Sequence, residues 1–435
     1  MKAFKYMLLA AGAITMASCS EIKDGVNDMD SWDVIVEPQV YTINHPAMLH
    51  SQADIDYVRQ NVNRAPWSDA WTKLETNQYS DVNRAATPTK LISRTNNNAE
   101  CPNNATTFGR DCASIYQLAL RWALKDDGAA ASRAVANIKA WVENCDGIHH
   151  NGDTNQQLIL FQVYQFANGM ELLRNFNGYG ESDDFKKACD WLVDKFYPQA
   201  TDFLVRHNNT HDHYWLNWDL ASMTCILSLG ILTEDQEKIN EAIIYFKNGI
   251  GSGNYQKAAN FVYDDPDPTG IKIAQGNESG RDQGHATLCV SLMGAFCQMA
   301  YNIGEDLFAF DNHRMMAFAE YTAKYNCPRT GVTTPGGEGD FLHPASSLPY
   351  TTYIWCPDSN CPTGERTELG AGGRGTKRPG WEIWRNYARK HDFKTVYIDE
   401  FADYLFPDEG AGVYDRNTGG FDQIGCTSLM FYREE

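Results

Sequence analysis

The feature that most constrains this chain is a long succession of helical segments joined by short turns. Apolar residues recur at helical spacing, as Ile115, Leu118, Ala119 and Trp122 do. Capping residues mark the starts of several helices. The predicted helices are Ser51–Thr76, Cys112–Leu124, Ala129–Val142, Asn155–Arg174, Ser182–Tyr197, Trp215–Leu229, Thr233–Lys247, Gly284–Tyr301, Asn312–Tyr325, Arg378–Arg389 and Thr395–Phe406. We therefore expect an all-α protein built from stacked antiparallel helical hairpins, as a toroid or a solenoid.

One region departs from this helical pattern. Residues Cys327 to Gly375 are rich in Gly, Pro, Thr and Ser, and they include the glycine clusters 336–339 and 370–375. The composition predicts long loops with short strands at most. Loops of this length in a compact domain are usually functional.

The N-terminus has the composition of an export signal. Lys2 and Lys5 precede the apolar run Met7–Met16, which is too short to span a bilayer. Small residues then lead to Cys19, in a pattern that resembles a bacterial lipobox. We expect residues 1–18 to be a lipoprotein signal peptide and Cys19 to be lipidated. The alternative is an ordinary secretory signal with an incidental cysteine.

The segment after Cys19 is acidic and has little apolar periodicity. We expect residues 19–40 to form a disordered tether and residues 41–435 to form one domain. Lipid attachment would then hold a monomeric body at the bacterial outer membrane, on its periplasmic or cell-surface face.

The charge composition limits the kinds of molecule that this protein is expected to bind. Lys and Arg total 37 against 56 Asp and Glu, a net charge of −19, which argues against nucleic acid. The same charge counts against an anionic polysaccharide, unless a local cationic groove overrides it. We expect no cofactor and no catalytic metal, since His211–Asp212–His213 and His149–His150 lack a third ligand at a telling distance.

Seven of the twelve cysteines fall into two groups. The pairs Cys101–Cys112 and Cys356–Cys361 are close in sequence, and an exported protein permits disulfides. Cys225, Cys289 and Cys297 lie in apolar helical runs and are expected in the core.

Two polar stretches indicate an active site. Asn277–His285 (NESGRDQGH) is immediately followed by an apolar helical run, so it predicts a polar loop at the start of a buried helix. Arg281 and His285 are four residues apart and share a helix face. Burying such groups unpaired is costly, so a functional role is favoured. The second stretch is His207–Asp219, and we expect the two to face each other.

The order and content of these segments resemble the alginate-lyase-like polysaccharide lyases, closest to polysaccharide lyase family 38. The resemblance covers most of the mature chain, and the Glu278–His285 string is its most specific part. The residues that carry it are His45–Leu49, Tyr164–Asn168, Glu171–Leu173, Asn217–Asp219, Glu278–His285 and Pro379–Glu382. The resemblance implies an incomplete (α/α) toroid with a substrate groove, acting on alginate or glucuronan without a metal.

A polyuronide lyase removes the C5 proton of a uronate and expels the C4 oxygen. The site must neutralise the carboxylate, supply a base and supply an acid. The resemblance assigns Asn217 to the carboxylate, and Arg281 can bind it bidentately. His285 is a base or a neutraliser, and His213 is a further candidate.

The acid is expected to be a tyrosine, either Tyr214 or Tyr387. The aromatic rings that could line a sugar-binding groove are Trp215, Trp218, Trp381 and Trp384. The motif residues Gln165, Glu278 and Gln283 complete the predicted substrate-binding set.

Two other functions remain open from the sequence. A toroid hydrolase would use paired carboxylates, with Asp219, Glu278, Glu338 and Glu382 as candidates. A non-catalytic glycan-binding lipoprotein would explain the aromatic residues but not Arg281 and His285.

Overall fold

The computed structural model describes residues 36–94, 102–150, 154–210, 213–354, 364–406 and 421–434, which belong to a single compact unit. The predicted signal peptide, Cys19 and the tether up to residue 35 lie outside the described residues. Across the described ranges, no helix is long and apolar enough to cross a bilayer. Gln39 already belongs to the folded body, since its backbone N–H donates to Asn240 Oδ1 at 2.7 Å.

Helices dominate the described chain. They are α1 (Gln52–Asn61), α2 (Trp67–Glu75), α3 (Ala105–Lys125), α4 (Gly128–Asn144), α5 (Val163–Leu172), α6 (Asp183–Arg206), α7 (Leu216–Leu232), α8 (Gln236–Asn248), α9 (Tyr255–Ala258), α10 (Gln283–Asn302), α11 (Phe310–Asn326), α12 (Trp381–Lys390), α13 (Tyr397–Leu405) and α14 (Thr427–Phe431). A 3₁₀ segment, Thr154–Gln162, leads directly into α5.

Successive helices pack as hairpins around two inner helices. α3 and α4 are joined by Asp126, in the left-handed conformation, and Asp127, which caps α4. α7 contacts α6, α8 and α10. Nearly every residue of α7 and α10 is buried, as expected for helices surrounded by others. The N-termini of these two inner helices carry the two polar stretches singled out in the sequence.

Local sequence signals predicted some boundaries and missed others. The capping box of Ser51 with Asp54 is present, and Ser182 caps α6. The single predicted helix Ser51–Thr76 is wrong, because Pro66 separates α1 from α2. α6 passes Pro198 and continues to Arg206, since Phe203 and neighbouring residues beyond the proline are buried in the core.

Two more helix starts differ from expectation. Asp235, rather than Thr233, caps α8 and accepts from the N–H groups of Glu237 and Lys238. α3 begins seven residues before the predicted Cys112. Periodicity located these helices, but the competing caps were too close in sequence to separate.

Two short antiparallel hairpins supplement the helices. β1 (Ala259–Asp264) pairs with β2 (Lys272–Gly276), and β3 (Tyr353–Ile354) pairs with β4 (Glu365–Arg366). The second hairpin lies inside the predicted Gly/Pro-rich loop region. The first was not predicted, and its strand β2 delivers the chain to Asn277.

The described cysteines are core residues. Cys225, Cys289 and Cys297 are buried free thiols, as predicted. Cys112, one half of the candidate pair Cys101–Cys112, is a buried free thiol as well. Cys101, Cys356 and Cys361 lie outside the described residues.

A buried ammonium group fixes the β1–β2 hairpin to the helices. Lys324 of α11 places Nζ 2.6 Å from Asp265 Oδ1 and 2.8 Å from Asp267 Oδ2. The Lys324 and Asp265 side chains are fully buried. Tyr397 of α13 donates its hydroxyl to Asp265 at 2.6 Å, so the loop between the strands is held from two helices.

Replacing Lys324 by Met should lower the free energy of unfolding by about 3–5 kcal/mol, because Asp265 keeps a buried charge without its cation. The matched control is Lys272→Met, which removes an exposed pair with Asp264 on the same hairpin and should cost less than about 1 kcal/mol. Urea denaturation midpoints measure the loss of stability in both variants. Equal losses in the two variants would contradict the conclusion that the buried Lys324–Asp265 pair holds the hairpin.

Candidate active site

The two polar stretches meet at the N-terminus of α7. Asn277 Oδ1 accepts the backbone N–H of Leu216 at 3.2 Å, and Glu278 Oε1 accepts the backbone N–H of Asn217 at 3.4 Å. These N–H groups belong to the first turn of a helix and have no partner within it. The loop that follows β2 therefore caps α7 from outside, and the predicted juxtaposition is present.

Asn217 has the most unusual environment in this junction. Its side chain is almost fully buried, yet its Oδ1 has no hydrogen-bond partner. Within the residues described, no hydrogen bond engages its Nδ2 either. A buried amide without partners is costly, and native structures contain few of them. The hydrogen-bonding groups of the Asn217 side chain are thus not engaged by any other described residue.

Arg281 lies between two acidic groups and a histidine. Its Nη1 is 3.2 Å from Glu278 Oε2, and its Nη2 is 3.2 Å from His285 Nε2. Its guanidinium carbon is 5.0 Å from the centre of the Trp215 ring. Glu278 is completely buried, and this burial raises the pKa of its carboxyl despite the opposing charge of Arg281.

The hydrogen bonds of His285 define its tautomer. A guanidinium only donates, so Nε2 must accept from Arg281 and Nδ1 must carry the proton. Nδ1–H then donates to Asp282 Oδ2 at 2.7 Å, while Asp282 Oδ1 accepts the N–H of His285 at 2.9 Å and caps α10. Burial would raise the pKa of Asp282, but its hydrogen bonds with His285 and the charge of Arg281 outweigh this effect and lower that pKa.

A second buried network supports the first turn of α7. Asp219 is fully buried and accepts from the Tyr245 hydroxyl and the Gly253 N–H, each at 2.7 Å. His207 Nε2 is 3.1 Å from the other oxygen of Asp219. A Cβ on Gly251 would lie 2.5 Å from Asp219 Oδ2, so glycine is required there. This network fixes the helix turn that carries Asn217.

The other residues of the 207–219 stretch differ in their position relative to α7 and in their burial. α7 begins at Leu216, so His213 precedes the helix and does not share a helix face with Asn217. The Tyr214 hydroxyl accepts from Asn208 Nδ2 at 2.9 Å, and its ring packs against Trp218. Trp218 is half-buried. His211 and Asp212 lie outside the described residues.

Several predicted aromatic residues are not in the site. Tyr387 is buried, donates to Asp306 at 3.0 Å and packs on Tyr301. Tyr301 follows His285 by sixteen residues on α10, about 24 Å along the helix axis. Trp381 and Trp384 are buried in the core. The predictions for these three residues are wrong, because the apolar face of α12 packs inward against α10 and α13.

Trp215, Gln283 and Gln165 are structural residues and do not form the predicted sugar-binding surface. Trp215 is buried beneath Arg281. Gln283 is buried and donates to Gly370 O at 2.9 Å, while Gln165 donates to Phe421 O at 2.7 Å. The sequence showed that these two side chains are polar, but it did not show that their amides donate to backbone carbonyls. Glu278, also predicted to bind substrate, is buried and reaches Arg281 instead.

The sequence interpretation missed residues from the β3–β4 region. The Tyr353 hydroxyl donates to Asn277 O at 2.5 Å and accepts the Gly280 N–H at 3.2 Å. A Cβ on Gly280 would lie 2.5 Å from the Tyr350 hydroxyl and 2.7 Å from Arg366 Cβ. The loop composition indicated a functional region, but no short-range pattern connected Tyr350, Tyr353 or Arg366 to Gly280.

The carboxylates considered for hydrolysis do not form an exposed pair. Asp219, Glu278 and Glu382 are fully buried. Glu338 is exposed but forms an ion pair with Arg374 at 2.6 Å. A paired-carboxylate mechanism therefore has little support among these four groups.

The fold is that of the alginate lyases, an (α/α) toroid, as the sequence resemblance implied. Alginate lyase A1-III, solved as a histidine-to-alanine variant with a tetrasaccharide, superposes with a TM-score of 0.55 at 11% identity, covering 90% of this chain and 98% of that one. The A1-III enzyme of Sphingomonas species A1 gives 0.53 at 11% identity, covering 89% and 98%.

An alginate lyase from Bacteroides ovatus gives a TM-score of 0.52 at 12% identity, covering 90% of this chain and 100% of that one. No protein-family profile matches the chain, and no curated protein is similar in sequence. At these identities the similarity establishes the fold, and the chemistry must be argued from the side chains.

Changing Asp282 to Asn should disrupt the His285 tautomer. Asp282 uses one oxygen to cap α10 and the other to accept Nδ1–H, and in asparagine one of these two positions becomes an NH₂ donor that cannot accept either bond. We expect imidazole ¹⁵N NMR to show Nδ1 protonation in the parent protein and a mixture of tautomers in the variant. An unchanged spectrum would show that Asp282 does not determine the tautomer.

Proposed function

We propose that this protein is a polysaccharide lyase that cleaves a uronate-containing polymer, alginate or glucuronan, by β-elimination. The observation that carries the proposal is that Asn217, whose buried amide oxygen has no partner, and the guanidinium of Arg281 are held by the same carboxylate, Glu278. An amide and a guanidinium together offer hydrogen-bond donors to one carboxylate. These donors would stabilise the charge that develops when the neighbouring carbon loses its proton.

The reaction assigns a role to His285. The Nε2 lone pair takes the C5 proton, and the C–H electrons form the C4–C5 double bond while the C4–O bond breaks. Arg281 occupies this lone pair in the free protein, so the substrate carboxylate must draw the guanidinium away before His285 can act as the base. Asp282 stabilises the imidazolium that results.

The leaving C4 oxygen needs a proton from an acid. Tyr214 is the tyrosine that remains from the sequence prediction, since Tyr387 is far from His285. It adjoins His213 and Trp218 at the start of α7. His213 and Trp218 are then positioned to contact the sugar chain.

We further propose that the enzyme acts as a monomer anchored by lipid on Cys19 at the outer membrane of a bacterium. The export signal and the acidic tether support this location. A polymer substrate outside the cell would suit an enzyme held at the membrane surface by a lipid anchor.

Ultraviolet absorbance tests the reaction, because each cleavage leaves a conjugated 4,5-unsaturated uronate. Mannuronate-rich alginate, guluronate-rich alginate, glucuronan and a glycosaminoglycan form the panel. We expect absorbance to rise with alginate or glucuronan. New reducing ends without absorbance would demonstrate hydrolysis instead, and an absence of cleavage on every polymer would refute the proposed activity.

Asn217→Ala should lower kcat by about 10²–10³-fold, as loss of a transition-state donor does. His285→Ala should lower it by about 10²–10⁴-fold. The matched controls are Asn144→Ala and His150→Ala, which change exposed residues of the same types and should leave kcat unchanged. Full activity in Asn217→Ala would remove the main support for the site.

A further inference from the structure

Glu278 is a buried carboxylate that contacts both walls of the site. Its Oε1 accepts the backbone N–H of Asn217 at 3.4 Å and lies 3.7 Å from the Cys289 thiol. Its Oε2 lies 3.2 Å from Arg281 Nη1. With no exposed surface, Glu278 cannot touch a polysaccharide. Among the described residues, Asn217 and Arg281 are the members of the proposed site that Glu278 contacts.

We propose that Glu278 is a positioning residue that holds Asn217 and Arg281 at a fixed separation, so that both address the same uronate carboxylate. This inference rests on the proposed function and assigns a task to a residue that the reaction itself does not use. Asn217 comes from α7 and Arg281 from the loop before α10, two elements distant in sequence. One rigid group that binds both removes the freedom between them.

Only a carboxylate satisfies both contacts. It presents two acceptor oxygens, whereas the isosteric glutamine presents one acceptor and one donor. In Glu278→Gln, either the Asn217 N–H or Arg281 Nη1 must face an amide N–H. The change preserves shape and volume, so its effect separates positioning from packing.

Cys289 supplies a matched control. Its thiol contacts the same carboxylate oxygen from α10, but it contacts neither Asn217 nor Arg281 through its side chain in the hydrogen bonds of the described residues. Cys289→Ser keeps a donor at this position. It alters the surroundings of Glu278 without breaking either contact that the proposal requires.

The experiment measures kcat and KM on the cleaved polymer, and the affinity for mannuronate, guluronate and glucuronate tetrasaccharides by calorimetry. Glu278→Gln should weaken tetrasaccharide binding by about tenfold to a hundredfold, because a hydrogen-bonded charge loses its position. It should also lower kcat, while Cys289→Ser matches the parent protein. Glu278→Asp retains two acceptors on a shorter side chain and should recover part of the affinity.

A double-mutant cycle identifies the route of action. In an Arg281→Ala background, Glu278→Gln should produce a much smaller further loss of affinity, because the contact between Glu278 and Arg281 is already absent. A purely structural role would give the same loss in both backgrounds and would overturn the proposal. Affinity and kcat of Glu278→Gln equal to those of Cys289→Ser would also overturn it.

The two proposals can fail separately. A protein that cleaves a polyuronide normally after Glu278→Gln contradicts the positioning role alone. A protein that binds the tetrasaccharides but never produces unsaturated ends contradicts the lyase function. In that case, the tetrasaccharide affinities of the parent protein and of the Glu278 variants still test the positioning role. A protein that binds no uronate overturns both. If Glu278→Gln does not fold, Glu278→Asp in the same cycle provides the decision.

Discussion

The site depends on the docking of the loop after β2 onto the exposed N–H groups of α7. Helix N-termini present donors that must be satisfied, and α7 is too deeply buried for water to satisfy them all. Asn277 and Glu278 fill this role from another part of the chain. A capping interaction that would ordinarily be local has become the contact that joins two distant segments, and the candidate catalytic groups lie on both sides of it.

The burial of Glu278 and Asn217 in the site lowers the stability of the fold, and neighbouring interactions offset part of this loss. Burying Glu278 raises its pKa and costs free energy, which Arg281 offsets by pairing with it. The Asn217 amide oxygen has no hydrogen-bond partner, which destabilises the folded state. Other interactions of the fold must offset this loss of stability. The Asp219 network and the tight turn at Gly251 hold the same helix turn from the other side. Rigid support therefore surrounds the Asn217 amide, whose oxygen has no hydrogen-bond partner.

The sequence predicted those parts of the structure that local physics determines. Helical periodicity located the inner helices, and the cost of burying Arg281 and His285 identified the polar loop before α10. It did not predict the β1–β2 hairpin, whose position depends on Lys324, 59 residues after Asp265 in the chain. It also misassigned Trp381, Trp384 and Tyr387, because an aromatic residue on an amphipathic helix looks the same whether it faces a groove or the core.

The net charge of −19 raised an objection to an anionic substrate, and the geometry answers it locally. Arg281 and Arg366 both place guanidinium carbons within 5.3 Å of the Trp215 ring. A ring face favours such cations and holds them without neutralising their charge. Salt screens the distant acidic surface over about 8 Å, whereas a bound carboxylate would meet these groups at hydrogen-bond distance. Trp215 is buried beneath these two guanidinium groups, so its ring supports cations and does not present a face on which a sugar could stack.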